Sequence, residues 1–271
     1  MAFAQVGDLR MFYEIHGSGE PLLMIYGLGG NAAYWSPQLL ERLARDFRVI
    51  TFDNRGAGRT GKPDAPYSIE LFADDAVGLL RALDVPRAHV FGISMGGMIA
   101  QELVLRHQAI AQTLTLGCTT AGGEHSLPPP PAAIAALTAP RDGKTDEEII
   151  REGWPFLYTR DYIDRHREAL EAGIPALIEF MMPAFAYRRQ LEATFTFNTY
   201  ARLDQIHTPT LVITGADDNL LPAANSQVIA ERIPGARHRL IANSGHLFFN
   251  EATDEFLSVF VPFARTYPIV N

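Results

Sequence analysis

The stretch Gly92-Ile93-Ser94-Met95-Gly96-Gly97 constrains the fold more than any other part of the chain. It follows the apolar run Ala88-His-Val-Phe and opens the helical pattern Met98-Ile-Ala-Gln-Glu-Leu-Val-Leu, so Ser94 falls on a tight strand-to-helix turn. Such a turn imposes strained backbone angles on the serine, and the residues two before and two after it must be small to escape collision. Gly92 and Gly96 meet that need. The pattern reads as a nucleophile elbow, and it puts the Met95 amide at a helix N-terminus, where it favours a negative oxygen above Ser94. A glycine-rich turn whose serine only caps a helix has the same letters. The reading therefore depends on an acid and a histidine following, in that order, at later strand ends.

Around this turn, strand and helix signals alternate. Leu9 to Ile15 alternates as an outer strand does, and Pro21 to Tyr26 and Arg48 to Phe52 are continuous apolar runs suited to strands buried on both faces. Ile69, Phe72, Ala73, Ala76, Leu79, Leu80 and Leu83 recur at helical spacing. Thr113 to Gly117 is the strand after the Ser94 helix, so the sheet is expected to be largely parallel. The pattern changes between Thr119 and Ile206: Gly122-Gly123 and the prolines 128 to 131 lead into helical segments without strands, predicting an inserted helical cap. A capping box at Thr145 and Glu148 starts one helix there, and Arg160 to Ala172 and the region from Ile174 to Met182 suggest two more. Strands return at Thr210 to Thr214 and Arg239 to Ala242, and an amphipathic helix, Asp254 to Ala264, closes the pattern.

The required acid and histidine do follow. The strand ending at Thr214 leads into Gly215-Ala-Asp-Asp-Asn-Leu-Leu-Pro222, so Asp217 and Asp218 lie where parallel sheets place their sites. After the last strand, Asn243-Ser-Gly-His246 gives a histidine free to act as general base, whereas the other seven histidines lack such a setting. A second amide donor is expected from Tyr26-Gly-Leu-Gly-Gly30, at Leu28. Tyr26, Trp154, Phe180, Met181 and Phe185 are candidates for the substrate pocket, and Arg188 and Arg189 would recognise a carboxylate only if they pointed inward.

Other chemistries find less support. Gly56 to Lys62 approaches a phosphate-binding loop, but Pro63 stands where the hydroxyl residue belongs and, with Pro66, stops the helix that would bind phosphate. No metal or cofactor is expected. A net charge of −8 argues against nucleic acid or an anionic membrane, leaving a small molecule as partner and self-association open. A single cysteine among 271 residues allows no internal disulfide, and with no targeting or spanning segment recognised, the cytoplasm is the expected compartment.

With these residues placed, the chain resembles the α/β-hydrolase superfamily over nearly its whole length, and within it the small esterases and 3-oxoadipate enol-lactonase-like proteins. The likeness rests on Asp53-Asn-Arg-Gly-Ala-Gly58, on Gly92 to Gly97, and on Ser244-Gly-His246 with Glu251. It aligns Gly215, Asp218 and Pro222 and so favours Asp218 over Asp217; Tyr26 departs from the histidine common in that branch. The resemblance implies a mostly parallel central sheet with helices on both faces, residues 1–118 and 207–271 as the core and 119–206 as the cap. It implies a serine hydrolase of small carboxylic esters or lactones, working through Ser94, His246 and Asp218, with Leu28 and Met95 as oxyanion donors. A C–C bond hydrolase of ring-fission products and a slow-turnover signalling or binding protein are the alternatives.

Overall fold

The computed structural model describes residues 2–141 and 143–269. Eight strands form one sheet: β1 (Ala2–Val6), β2 (Leu9–His16), β3 (Glu20–Ile25), β4 (Phe47–Phe52), β5 (Ala88–Ile93), β6 (Ala111–Gly117), β7 (Thr210–Gly215) and β8 (Arg237–Ile241). Their spatial order is β1-β2-β4-β3-β5-β6-β7-β8. Only the β1–β2 and β2–β4 pairs are antiparallel; the other five are parallel. The expected mostly parallel sheet is present, with one strand more than the sequence suggested: β1 hairpins back onto β2 through Gly7 at φ 58°.

Helices cover both faces because adjacent residues of a strand point to opposite sides. Leu23 and Ile25 of β3, Val90 of β5 and Val212 of β7 join one core with α2 (Ile69–Ala82), α3 (Met95–His107) and α8 (Ala224–Arg232). Leu22, Met24, Phe91, Leu211 and Ile213 join the other, with α1 (Pro37–Leu43) and α10 (Thr253–Arg265), preceded by the short α9 (Phe248–Glu251). The chain leaves β3 for α1 on the second face and β5 for α3 on the first. β3 and β5 are neighbours, so their exit loops diverge and open a crevice at the carboxyl edge of the sheet.

All four remaining helices lie between β6 and β7: α4 (Pro131–Thr138), α5 (Asp146–Leu157), α6 (Arg160–Ile178) and α7 (Ala184–Thr196). α4 begins inside the proline run, with Pro131 in its first turn, where a missing N–H costs nothing. The Thr145–Glu148 capping box starts α5 as expected. The two helices expected after Arg160 are one element, α6, bent where His166 leaves helical geometry at φ −116° and its ring stacks on Tyr162.

Trp35 ties the second core together. It is 1% exposed and its ring lies 4.9 Å from Tyr26, 5.1 Å from Phe249 and 5.7 Å from Phe91. Trp35→Ala should therefore cost about 3–5 kcal/mol. Urea unfolding should show this as a lower midpoint with an unchanged slope.

Candidate active site

The turn at Ser94 has the predicted strain. Its φ of 57° and ψ of −124° lie outside the helical and extended regions, between the end of β5 and the first turn of α3. Surrounding contacts enforce it. A Cβ on Gly92 would lie 2.1 Å from the Gly96 carbonyl oxygen, and one on Gly96 would lie 2.1 Å from that of Ile25. The Ser94 amide donates to the Gly117 carbonyl at 2.9 Å, and the Thr119 hydroxyl donates to the Ser94 carbonyl at 2.8 Å. The peptide is thus held from both sides.

The loop after β7 turns Asp218 inward. Its Oδ1 accepts the amides of Leu220 at 2.8 Å and Leu221 at 2.9 Å, leaving Oδ2 for His246 Nδ1 at 2.7 Å. Both side chains of the pair are buried. Asp217 is exposed and offers its amide to Ser244. The geometry thus brings Asp218, not Asp217, to the histidine.

The histidine loop is anchored by a half-buried glutamate. Glu251 accepts the Gly245 amide at 2.8 Å and the Thr159 amide at 3.2 Å, and the Thr159 hydroxyl donates to it as well. Thr159 is the N-cap of α6, and the Leu247 amide donates to the Leu157 carbonyl at 2.9 Å, so this loop and the inserted helices are joined on both sides of His246. Burial raises the Glu251 carboxyl above the usual carboxylate range, against the lowering effect of its hydrogen bonds.

Ser94 and His246 both border a cavity of about 810 Å³ between the sheet edge and the inserted helices. Gly27, Leu28 and Met95 lie on the same wall, and among the described residues neither the Leu28 nor the Met95 amide has a hydrogen-bond partner. Tyr26 borders it too; its ring packs on Tyr34 and Trp35, and burial pushes its phenol well above the ordinary value. Trp154 and Met181 line the cavity, as expected, together with Phe156, Leu177, Met182 and Phe197.

Two of the pocket candidates do not. The Phe180 ring lies under the Arg59 guanidinium, 3.6 Å from its centroid, and its carbonyl accepts from Asn31, which turns this segment toward the loop after β4. Phe185 is 38% exposed, because the buried stripe of α7 runs through Ala186, Gln190 and Ala193 and leaves it outside. Arg188 is exposed and Arg189 pairs with Asp64 and Glu192, both away from the cavity. The arginine on the cavity wall is Arg141, stacked over Tyr187.

Cys118 was missed as a site residue. At φ 39° on the end of β6, it brings Sγ within 4.8 Å of ligand atoms of Asp218 and His246. Burial, then the Asp218 charge, raises its thiol well above the ordinary value, and the Thr214 hydroxyl lies 3.1 Å away. These three side chains are the one group among the described residues with the donors and spacing to hold a metal, which would have to displace the proton between His246 and Asp218. The loop resembling a phosphate cradle is closed on itself: Asp53 accepts the Ala32 and Arg59 amides, and the Lys62 amine is bonded to the carbonyls of Gly58 and Thr60.

A crevice at a strained serine, with a bonded aspartate and histidine from the loops after β7 and β8, is the arrangement of a hydrolase of the α/β class. A model of the alpha/beta hydrolase family matches residues 15–259, and the chain belongs to that family. An Azorhizobium caulinodans protein provisionally named carbamate hydrolase RutD is 32% identical over 266 residues, 97% of this chain and 98% of that one. The crystal structure of an enol-lactonase from Burkholderia xenovorans LB400 superposes with a TM-score of 0.84 at 27% identity, covering 97% of this chain and all of the other. Est816, described as an N-acyl homoserine lactone degrading enzyme, is 31% identical with a TM-score of 0.79, covering 97% and 100%. No helix among the described residues is long and apolar enough to cross a membrane.

The backbone contacts behind Ser94 generate a prediction. In Gly96→Ala the new methyl meets backbone that cannot yield, and the variant should lose about 3 kcal/mol or more of stability along with its activity. Gly173→Ala, where no heavy atom lies within 4 Å of the new methyl, should lose no stability. Thermal unfolding of the pair measures the difference.

Proposed function

We propose that this protein is a serine hydrolase of carboxylic esters and lactones. Ser94 Oγ attacks the substrate carbonyl while His246 takes its proton, and the tetrahedral oxyanion is held by the amides of Leu28 and Met95. Collapse breaks the bond to the alcohol oxygen, which takes the proton from His246 as it leaves. Water, deprotonated by the same imidazole, attacks the acyl-enzyme, and the second collapse returns the proton to Ser94. Asp218 keeps Nδ1 protonated and stabilises the imidazolium in both halves of the cycle. The observation that carries this reading is the 2.7 Å bond between His246 and Asp218, with His246 bordering the same cavity as a serine held at φ 57°.

The cavity also bears on the substrate. The resemblance implies small esters or lactones, whereas about 810 Å³ lined by Trp154, Leu177, Met181, Met182 and Phe197 suits a longer chain. A carbamate is the second reading, favoured by kinship with the carbamate hydrolase named above, since its carbonyl takes the same attack. The apolar walls favour the ester and lactone reading over an unsubstituted carbamate, which has no carbon chain to bury.

Ser94→Ala should retain no more than about a thousandth of wild-type turnover in a folded protein. Asp218→Asn should lose most activity through a misheld histidine tautomer, and Asp217→Asn little; the reverse ranking would exchange their roles.

Across p-nitrophenyl esters from acetate to dodecanoate, kcat/KM should rise by up to about fourfold per methylene, the equivalent of ~0.8 kcal/mol, until the cavity is filled. A fall from acetate onward, or faster turnover of carbamates than of any ester, would overturn the substrate reading.

A further inference from the structure

α7 belongs to the inserted helices, yet one of its side chains reaches the loop that follows β3. Gln190 is 0% exposed, and both ends of its amide are engaged: Oε1 accepts the Gly29 N–H at 3.0 Å, and Nε2 donates to the Arg55 carbonyl at 2.8 Å. A buried primary amide is costly unless both ends are paired, and here both partners are backbone groups of separate core loops. Arg55 is itself fixed by a bidentate pair with Asp75, at 2.8 and 2.7 Å. Gln190 therefore ties the glycine-rich loop after β3 to a loop anchored by the Arg55–Asp75 pair.

The start of the glycine-rich loop is held by Asn54, whose side-chain amide donates to the Tyr26 carbonyl at 2.9 Å. Gly29 sits at φ 76°, and within the loop only the Gly30 amide closes a turn, onto the Gly27 carbonyl at 3.3 Å. On one side of Leu28, Gly27 is wedged against the nucleophile: a Cβ there would lie 3.0 Å from that of Ser94. On the other side, Gly29 is bonded to Gln190. The Leu28 amide is set between these two restraints.

We infer that Gln190 is a positioning residue for the oxyanion-binding loop, so that a helix from the segment between β6 and β7 sets the place of the Leu28 amide relative to Ser94; this rests on the serine-hydrolase reading above. An amide that binds the oxyanion acts on the transition state, and displacement by about 1 Å can cost about a hundredfold in rate. Loss of Gln190 should then fall on kcat rather than on KM.

The test compares Gln190→Met, which keeps length and loses both hydrogen bonds, with Gln190→Glu, whose buried carboxyl, in its protonated form, keeps both an acceptor for Gly29 and a donor to the Arg55 carbonyl. With rates expressed per titrated Ser94, Gln190→Met should lower kcat at least tenfold with KM within about twofold, and should weaken a boronic acid that forms a tetrahedral adduct by a similar factor. Gln190→Glu should recover most of that loss. Should Gln190→Met not fold, Gln190→Asn, too short to span both partners, replaces it with the same expectation. Wild-type kcat per site, a loss confined to KM, or equal losses in the Met and Glu variants would overturn the inference. Ser94→Ala is measured alongside: activity surviving there would instead overturn the serine-hydrolase reading.

Discussion

The contact between Gly96 and the end of β3 is the constraint from which the site follows. With a Cβ at 2.1 Å from the Ile25 carbonyl excluded, only glycine lets the first turn of α3 settle against the neighbouring strand. That closeness allows the strand-to-helix turn to be so sharp that Ser94 takes up φ 57°, and it brings the exit loops of β3 and β5 together before they part to opposite faces. The crevice, the raised serine and the glycine loop beside it are consequences of one backbone approach. The two apolar cores hold it in place, because each strand at the centre is packed from both sides.

Polar groups are arranged around this point with little redundancy. Asp218 divides its two oxygens between its own loop and His246, Glu251 gathers the histidine loop and the N-cap of α6, and Asp53 closes the loop after β4 against the backbone near Asn31. Each is a short acidic side chain accepting several backbone or side-chain donors, which fixes loops that have no regular structure of their own. The site is built from loops, but they behave as parts of the scaffold.

The parts of this arrangement legible in the sequence are those that chemistry restricts to few residue types. Glycine before and after Ser94, an acid after β7 and a histidine after β8 have few substitutes, so their order along the chain is informative. The choice between Asp217 and Asp218 needed the resemblance, since both suit a turn and only tertiary packing shows which one turns inward. Phe180 and Phe185 are apolar, but Phe180 falls in the turn after α6 and Phe185 in the first turn of α7, and whether either meets the cavity depends on how those helices pack, which periodicity does not reveal. β1 passed unnoticed because its half-buried residues make only a weak alternation. Gln190 and Cys118 carry no signal at all: a glutamine in a helix and a lone cysteine after a strand have many ordinary explanations, and only the fold brings the first to the loop after β3 and the second beside Asp218 and His246.

The double attachment of the inserted helices, through Thr159 to Glu251 and through Gln190 to Gly29 and Arg55, bears on how such proteins diverge. An insertion joined to its core only through its two chain ends could be exchanged between relatives as a cassette, altering specificity without touching the chemistry. Here the insertion supplies part of the bracing of the core's own loops. A graft would have to carry partners for Glu251, Gly29 and Arg55 with it, and substitutions that reshape the pocket are confined to cavity-facing positions that leave those contacts intact.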